Sequence, residues 1–455
     1  MCLSSSKTGY QPERRSLDQA VRPPQNASTL NSFRFLHAAD LHLDSPLRGL
    51  GADAPATRIR QATRDALTNL VDLAIREQVD FVVVAGDLYD GDWPDFRTGQ
   101  ALVAAFARLT RARIRIIAIR GNHDAESVLT RSLSLPEGAT LLRADRPDTV
   151  EWPEFGVALH GQSFQTRDVQ QNLAQGYPTP TANRFNIGLL HTAATGRPGH
   201  ASYAPCTVEQ LASHGYDYWA LGHIHAREEV LQDPWIVFPG NLQGRHVNES
   251  GAKGASLVTV RHGRVAGVEH RALDAVRWTR LTVDCDGAAD EEAVLIRCRR
   301  AMGEAVDAAE GRLLILRLRL EGACPAHLVL ARDPAALRQK LLAAALEVAE
   351  ADMVWIEDVR VATRPMQDIG ALRARDDAVG RLVRAIDSLA EAPEGATGPA
   401  AAAQGYATAM LDRGLGGLRQ ALGPDHPAVQ AAEGRLSPEL LQRARDLLLA
   451  RLAQG

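Results

Sequence analysis

The sequence predicts an α/β protein, because strand-like and helix-like segments alternate from residue 33 to about residue 275. Short apolar runs, such as the one in "DFVVVAGD" (80–87), are typical of buried strands. Residues 55–77 carry apolar side chains at helical spacing instead. Several apolar runs end in Asp, Asn or His, usually just after Gly. This alternation favours an open α/β sheet, in which ligands bind at the carboxyl ends of the strands.

The individual elements follow in order along this first part of the chain. The predicted strands are "FRFLHAAD" (33–40), "DFVVVAGD" (80–87), "RIRIIAIRGNHD" (113–124), "RFNIGLLH" (184–191), "YWALGHIH" (218–225) and "WIVFPGN" (235–241). Residues 55–77 and 96–110 are predicted helices, since each has one continuous apolar face. Two further strands, joined at His262-Gly263, are expected to close the unit.

Four segments differ in composition and are predicted to be separate regions. Residues 1–32 are polar, and we expect a disordered N-terminal extension. Residues 33–275 form the α/β unit, and residues 276–365 have the strand and helix pattern of a second, small α/β domain. Residues 366–455 are predicted to be a helical C-terminal region.

Composition excludes several classes of protein. The 455 residues are 45% hydrophobic and 23% charged, as in soluble globular proteins with two or three domains. A net charge of −4 gives no global basic field. Five cysteines without a CxxC pair argue against a disulfide framework and a thiolate metal site. No apolar run is long enough to cross a membrane, so we expect a cytoplasmic protein that does not bind membranes.

Polar side chains at the ends of five strands carry the chemistry. They are Asp40 and His42 in "DLH", Asp87 in "GD", Asn122 in "GNHD", His191, and His223 and His225 in "GHIH". Alone, "GD" is typical of a turn, "DLH" carries no signal and His191 is typical of a core histidine, whereas "GNHD" and "GHIH" are stronger signals. The five in this order form a pattern. We expect these side chains to meet at one edge of the sheet.

These donors predict a site for two metal ions. Carboxylate, amide and imidazole donors without a thiolate suit manganese, iron or zinc. Seven ligands exceed what one tetrahedral ion binds. A carboxylate, from Asp40 or Asp87, must then bridge two ions about 3.5–4 Å apart. Two divalent ions outweigh two carboxylates, so the site would attract phosphate and lower the pKa of water. The sequence therefore predicts hydrolysis of a phosphoester.

Residues beside the metal ligands have predicted roles in catalysis and substrate binding. His123 follows the ligand Asn122 and is expected to protonate the leaving oxygen, with Asp124 orienting it. Arg245 and His246 in "NLQGRH" either contact the substrate phosphate or lie in a surface loop. Arg48 either shapes the substrate groove or is an ordinary surface residue.

The order D-x-H, G-D-x-x-D, G-N-H-D, H and G-H-x-H, over about residues 33–245, resembles the calcineurin-like metallophosphoesterase superfamily. Within this span, "LHAADLHLDSPLRGL" and "FPGNLQGRH" are similar to SbcD-type DNA repair exonucleases, and closest to the YhaO-like branch. The resemblance implies a four-layer α/β/β/α sandwich. It also implies a small α/β capping domain and a helical C-terminal tail.

The resemblance assigns the ligands to two ions. It places Asp40, His42, Asp87 and His225 on the first metal, and Asp87, Asn122, His191 and His223 on the second. Asp87 is then the bridge, His123 the catalytic histidine and Asp124 its partner. Manganese is the ion implied.

The resemblance also implies a substrate and partners. It predicts a 3′-to-5′ DNA exonuclease in DNA repair, acting with an SMC-like coiled-coil ATPase that binds the last helix. Relatives dimerise, and the sequence leaves a homodimer open here. Two alternatives stay open as well. One is a nucleotide phosphodiesterase or phosphatase, and the other is a non-catalytic subunit that tethers DNA ends.

Overall fold

Two six-stranded sheets and one three-stranded sheet form the framework of the protein. The computed structural model describes residues 32–45, 55–90, 96–125, 134–194, 203–350, 353–366, 369–377, 379–381, 383–384 and 387. Within these residues the two larger sheets pack face to face, and the third sheet packs beside them.

The first sheet has a parallel centre and an antiparallel edge. Its strands are β1 (Phe33–Ala38), β2 (Phe81–Ala85), β3 (Arg115–Ile119), β4 (Ala139–Leu141), β11 (Gly254–Arg261) and β12 (Arg264–Ala272). They lie in the order β12-β11-β1-β2-β3-β4, and β1 to β4 run parallel. The carboxyl ends of β1, β2 and β3 therefore lie at the same edge of the sheet.

The second sheet repeats this arrangement. Its strands are β5 (Asp148–Trp152), β6 (Val157–Gly161), β7 (Phe185–His191), β8 (Tyr218–Gly222), β9 (Glu228–Gln232) and β10 (Trp235–Phe238). Their order is β5-β6-β7-β8-β10-β9, with β6, β7, β8 and β10 parallel. The short strands β4 and β5 are not apparent in the sequence, because neither has a continuous apolar run.

Helices cover the outer faces of both sheets and give the predicted α/β/β/α layers. They are α1 (Ala56–Arg76), α2 (Phe96–Arg111), the single turn α3 (Asn122–Ala125) and α4 (Val208–Ser213), with a 3-10 turn at Leu173–Gly176. Helices α1 and α2 pack on the first sheet, and α4 packs on the second. Aromatic side chains fill the space between the sheets; the rings of Phe35 and Phe81, for example, stack at 5.0 Å.

A smaller α/β unit follows the sandwich. Its strands β13 (Val276–Asp284), β14 (Leu313–Ala323) and β15 (Val354–Arg364) form one parallel sheet. Its helices are α5 (Glu291–Ala308), α6 (His327–Arg332) and α7 (Pro334–Leu346), and α8 (Ile369–Ala374) follows β15. Helices α5 to α7 cover one face of the sheet, and the other face packs against α1 through Ile59 and Ala62.

Several expectations fall outside the described part of the chain. Residues 1–31 and most of 366–455, including the last predicted helix, are not among the described residues, so these boundaries stay predictions. Among the helices that are described, none is both long and apolar enough to span a membrane.

Candidate active site

The predicted ligands lie together, at the shared carboxyl edge of the two large sheets. In the first sheet, β1 leads into Asp40 and His42, β2 into Asp87, and β3 into Asn122. In the second sheet, β7 ends at His191, and β8 leads into His223 and His225. Backbone hydrogen bonds hold neighbouring strand ends in register. The Asp40 N–H donates to the Gly86 carbonyl at 3.0 Å, and the His42 N–H donates to the Asp87 carbonyl at 3.0 Å.

Two glycines allow this close approach. A Cβ on Gly121 would lie 2.2 Å from an Asp87 carboxylate oxygen, and one on Gly222 would lie 2.0 Å from the Ala85 carbonyl oxygen. Both distances are far below a van der Waals contact, so only glycine fits. The strand ends that carry the ligands can therefore converge without displacing Asp87.

Four of the expected ligands have left-handed backbone conformations. The φ angles are 51° at Asp40, 43° at His42, 51° at Asp87 and 95° at His223. Residues other than glycine adopt such angles at a cost in free energy, and strained residues of this kind cluster at functional sites. Here the conformation turns each side chain from its strand end into the common site.

Asp40, His42 and His225 form one group of donors. The Nε2 atoms of the two imidazoles face each other at 3.1 Å, and His225 Nε2 lies 3.8 Å from Asp40 Oδ1. All the donor atoms of this group lie within 4.8 Å of one another. Two ring nitrogens facing each other need a proton or a cation between them, because their lone pairs otherwise repel. This arrangement fits a cation.

Asp87, Asn122 and His191 form a second group. His191 Nε2 lies 3.0 Å from Asn122 Oδ1 and 3.4 Å from Asp87 Oδ2. His191 Nδ1 donates to the Ala85 carbonyl at 3.0 Å, which leaves Nε2 facing the site. The ring of His223 is next to this group, with its centroid 5.2 Å from that of His191.

One carboxylate oxygen links the two groups. Asp87 Oδ2 is 3.7 Å from His42 Nε2 in the first group and 3.4 Å from His191 Nε2 in the second. Burial alone would raise the pKa of Asp87, but His191 and His42 hold that pKa well below its usual range. Burial lowers the pKa of His191, yet the neighbouring Asp87 raises it to about 9. The buried oxygen and nitrogen donors, with a shared carboxylate, fit two divalent cations.

Asp90 contacts the predicted catalytic histidine. An Asp90 oxygen lies 2.9 Å from Nδ1 of His123, whose imidazole is partly exposed to solvent. The sequence predicts Asp124 in this position. Its buried carboxylate instead accepts backbone N–H groups of Gly121, Leu88 and Tyr89 at 2.9–3.0 Å. Burial and the charge of Asp87 raise the pKa of Asp124 to about 7.

The expected substrate contacts differ in their surroundings. Arg245 is mostly buried, and its guanidinium lies 3.1 Å from Glu249 and 3.5 Å from Asp90. His246 is exposed, and its ring accepts the Asn248 N–H at 3.2 Å at the start of a 3-10 turn, Val247–Glu249. Arg48 lies outside the described residues. Glu249, which also contacts His225, was not recognised from the sequence, because it follows no apolar strand.

The chain matches two family models and several curated proteins. Residues 33–227 match the calcineurin-like phosphoesterase model, and residues 278–364 match the model of the middle domain of metallophosphoesterase YhaO. The chain is 34% identical to metallophosphoesterase YhaO from Bacillus subtilis over 306 residues, which cover 66% of this chain and 74% of that protein.

More distant relatives are proteins called DNA double-strand break repair protein Mre11. The chain is 24% identical to the protein from Sulfurisphaera tokodaii, over 58% of this chain and 68% of the relative. It is 25% identical to the protein from Methanopyrus kandleri, over 59% of this chain and 63% of the relative. With the similarity to YhaO and the matched family models, these results show that the chain belongs to the calcineurin-like metallophosphoesterases, in a YhaO-like branch.

Proposed function

We propose that the protein is a two-metal phosphodiesterase that hydrolyses DNA, as a 3′-to-5′ exonuclease in DNA repair. The main support is the position of Asp87 Oδ2 between His42 Nε2 and His191 Nε2, at 3.7 and 3.4 Å. A carboxylate shared by two groups of donors is what a pair of cations requires. Manganese is the proposed ion, since nitrogen and oxygen donors suit it.

The chain's own residues would hold the cations. We assign Asp40, His42, Asp87 and His225 to one ion, and Asp87, Asn122, His191 and His223 to the other. When bound, two divalent cations neutralise phosphate charge and lower the pKa of a water molecule. The protein fixes the donors in advance: Asp40 accepts the His223 N–H at 3.0 and 3.1 Å, so its carboxylate cannot turn away.

His123 is the proposed general acid. Its Nδ1 faces Asp90 at 2.9 Å, which leaves Nε2 to donate a proton to the leaving oxygen. Burial lowers the pKa of His123, but the contact with Asp90 and the charge of Asp87 more than offset this and raise it. The raised pKa keeps a larger fraction of the imidazole protonated near neutral pH.

DNA is the proposed substrate because of the names of distant relatives. Relatives with 24% and 25% identity are named for DNA double-strand break repair. The net charge of −4 gives no global attraction for DNA, so the cations must attract the phosphates locally. The arginines on β14 do not supply this attraction, because Arg317 and Arg319 pair with Glu357 and Glu321.

The proposed partners extend this role. We propose that an SMC-like coiled-coil ATPase binds the C-terminal region, that the protein acts in the cytoplasm, and that two copies associate on DNA. These proposals follow from the resemblance to SbcD-type exonucleases. Co-purification of the full chain with such an ATPase tests the first of them, and light scattering tests the last.

A nuclease assay tests the proposed activity. The full chain with Mn²⁺ is incubated with linear duplex labelled at either the 3′ or the 5′ end, with covalently closed circles, and with a cyclic nucleotide. We expect early release of the 3′ label, intact circles, and loss of activity in Asp87→Ala and His123→Ala. Glu357→Gln, which alters a carboxylate in the third sheet, is the control and should retain activity.

Other outcomes would favour the alternatives. Undiminished DNA degradation by Asp87→Ala would reject the proposed site. Turnover of the cyclic nucleotide without DNA cleavage would favour a nucleotide phosphodiesterase. If a His123→Asn variant that binds metal normally supports repair in cells, the protein is a tether and not a nuclease.

A further inference from the structure

The β10–β11 loop (residues 239–253) contacts the metal site along its course. The Asn241 N–H donates to the His225 carbonyl at 3.4 Å, and the Leu242 N–H donates to the Asp40 carbonyl at 3.3 Å. The buried ammonium of Lys253 also donates to the His225 carbonyl, at 2.6 Å. The loop is therefore bonded to the backbone of two expected ligands.

Glu249 in this loop contacts the side chain of His225. Its Oε1 lies 2.7 Å from His225 Nδ1, on the opposite side of the ring from the Nε2 that faces Asp40. A carboxylate in this position accepts a hydrogen bond from Nδ1–H and leaves the Nε2 lone pair free for a cation. Glu249 thus fixes both the tautomer and the orientation of the His225 ring.

Glu249 is itself held in place by the loop. Its Oε2 accepts the Asn241 side-chain amide at 2.9 Å and the Arg245 N–H at 2.8 Å, and the Arg245 guanidinium lies 3.1 Å from Oε1. The side chain is 8% exposed, so these contacts hold it as a buried partner for His225.

The third sheet contacts the same loop from the other side. Trp278 in β13 donates its indole N–H to the Gly244 carbonyl at 2.9 Å, and its own carbonyl accepts the Gly251 N–H at 2.9 Å. The Gln243 side chain accepts the Val276 N–H at 3.2 Å and donates to the Val276 carbonyl at 2.6 Å. Val247 packs in the apolar cluster that contains Trp278.

We propose that Glu249 is a positioning residue for His225, and that the third sheet holds Glu249 in place through Trp278. The inference rests on the proposed metal site and adds a residue and a domain to it. The small α/β unit then affects the affinity for one cation without supplying a ligand, because the β10–β11 loop contacts both β13 and His225. Disturbing the Trp278 contact should weaken the binding of that cation without removing any ligand.

Calorimetric titration of the metal-free full chain with Mn²⁺ tests the role of Glu249. Glu249→Gln keeps the size of the side chain and removes its charge. We expect one of the two binding sites to weaken roughly 10- to 100-fold, as for other partners of metal-bound histidines. Glu357→Gln is the matched control, since Glu357 is 12% exposed and is also paired with an arginine, Arg317. Its binding should equal that of the wild type.

A second pair of variants tests the contact with the third sheet. Trp278→Phe removes the indole N–H that reaches Gly244. Trp355→Phe is the control: Trp355 lies in the same apolar cluster, but its buried indole N–H has no hydrogen-bond partner within the described part of the chain. We expect Trp278→Phe to weaken the same Mn²⁺ site severalfold and Trp355→Phe to leave it unchanged.

The outcomes separate this inference from the proposed function. If Glu249→Gln binds both ions as tightly as the wild type, or if the two tryptophan variants lose equal affinity, the inference fails while the metal site stands. If the wild type binds no Mn²⁺, or if Asp87→Asn binds two ions normally, the proposed metal site fails first.

Discussion

The Nδ1 atom of His123 lies 2.9 Å from a carboxylate oxygen of Asp90. The same oxygen is 3.6 Å from Nδ1 of His42, and the other Asp90 oxygen accepts the Ser45 hydroxyl at 2.5 Å. Asp90 is thus fixed between the expected general acid and an expected metal ligand. This places the carboxylate where it controls both the orientation and the pKa of His123.

We expect Asp90→Asn to lower the turnover number by at least about tenfold and to change its pH dependence. The proposed general acid is the protonated form of His123, so the rate should fall as pH rises through its pKa. Asp90 raises that pKa, against the effect of burial. Without the charge the pKa drops, and the alkaline decline moves to lower pH. The rate profile is measured on a model phosphodiester at saturating Mn²⁺.

Asp44→Asn is the matched control for this variant. Asp44 is as exposed as Asp90, at 15%, but its carboxylate pairs with Arg64 and accepts the Thr98 hydroxyl. Its pH profile should follow the wild type. A profile of Asp90→Asn that coincides with the wild type would exclude Asp90 from the control of His123.

We expect Gly121→Ala to weaken metal binding, because it displaces Asp87 and His191. The new Cβ would lie 2.2 Å from Asp87 Oδ1 and 2.8 Å from His191 Cε1, so both side chains must move. Mn²⁺ affinity should fall at least about tenfold. Gly267→Ala in β12 is the control, because a Cβ there meets no atom within 4 Å. Equal Mn²⁺ affinities of the two variants would argue against the close packing around Asp87.

We expect Mn²⁺ to stabilise the folded protein, because the ligands come from both sheets. At a concentration of 100 times the dissociation constant, one bound ion adds about 2.7 kcal/mol to the free energy of unfolding. Asp87→Asn should lose this gain in melting temperature, since the amide cannot bridge as a carboxylate does. Asparagine tolerates the φ of 51° at this position, so the metal-free variant should still fold.

Asp44→Asn again provides the comparison, because Asp44 also has a left-handed backbone, with φ of 57°. Its melting temperature should rise with Mn²⁺ as the wild-type value does. A rise of the same size in Asp87→Asn would show that the stabilising ions bind elsewhere.

We expect the buried His37 to make the metal-free protein less stable in acid. Its ring contacts the Tyr218 hydroxyl at 3.0 Å and donates to the Leu221 carbonyl at 3.1 Å, and burial lowers its pKa from 6.5 to about 3. The unfolded chain therefore takes up a proton that the folded chain does not. This stability is complete above pH 6.5 and is lost progressively as pH falls toward 3.

At pH 5.5 the loss from this residue is about 1.4 kcal/mol. Urea unfolding in EDTA at pH 7.5 and pH 5.5 measures it. Between pH 7.5 and pH 5.5, the free energy of unfolding should decrease less in His37→Gln than in the wild type, by this amount. An identical decrease in both proteins would mean that His37 titrates alike in the folded and unfolded states.

The convergence of the expected ligands could be predicted from the sequence, because each lies at or just after the end of an apolar strand. Parallel strands end at one edge, so Asp40, Asp87 and Asn122, which follow β1, β2 and β3, had to lie near one another once the strands were recognised. The contact of His191 with Asp87 also requires the two sheets to pack face to face. That packing depends on the aromatic core between them.

The residues that contact the expected ligands and His123 could not be predicted in the same way. Asp124 follows His123 in the sequence, whereas Asp90 contacts it in the folded protein. Only the fold shows that the Asp124 carboxylate accepts three backbone N–H groups instead. Glu249 lies 24 residues beyond His225 in a loop, where no periodic pattern marks it. Contacts of this kind depend on how loops pack, which local sequence does not determine.

Anomalous diffraction from crystals grown with Mn²⁺ would locate the two proposed cations. We expect two peaks about 3.5–4 Å apart with the Asp87 carboxylate between them. Asp40, His42 and His225 should contact one peak, and Asn122, His191 and His223 should contact the other. A single peak, or a pair of peaks that Asp87 does not touch, would contradict this expectation.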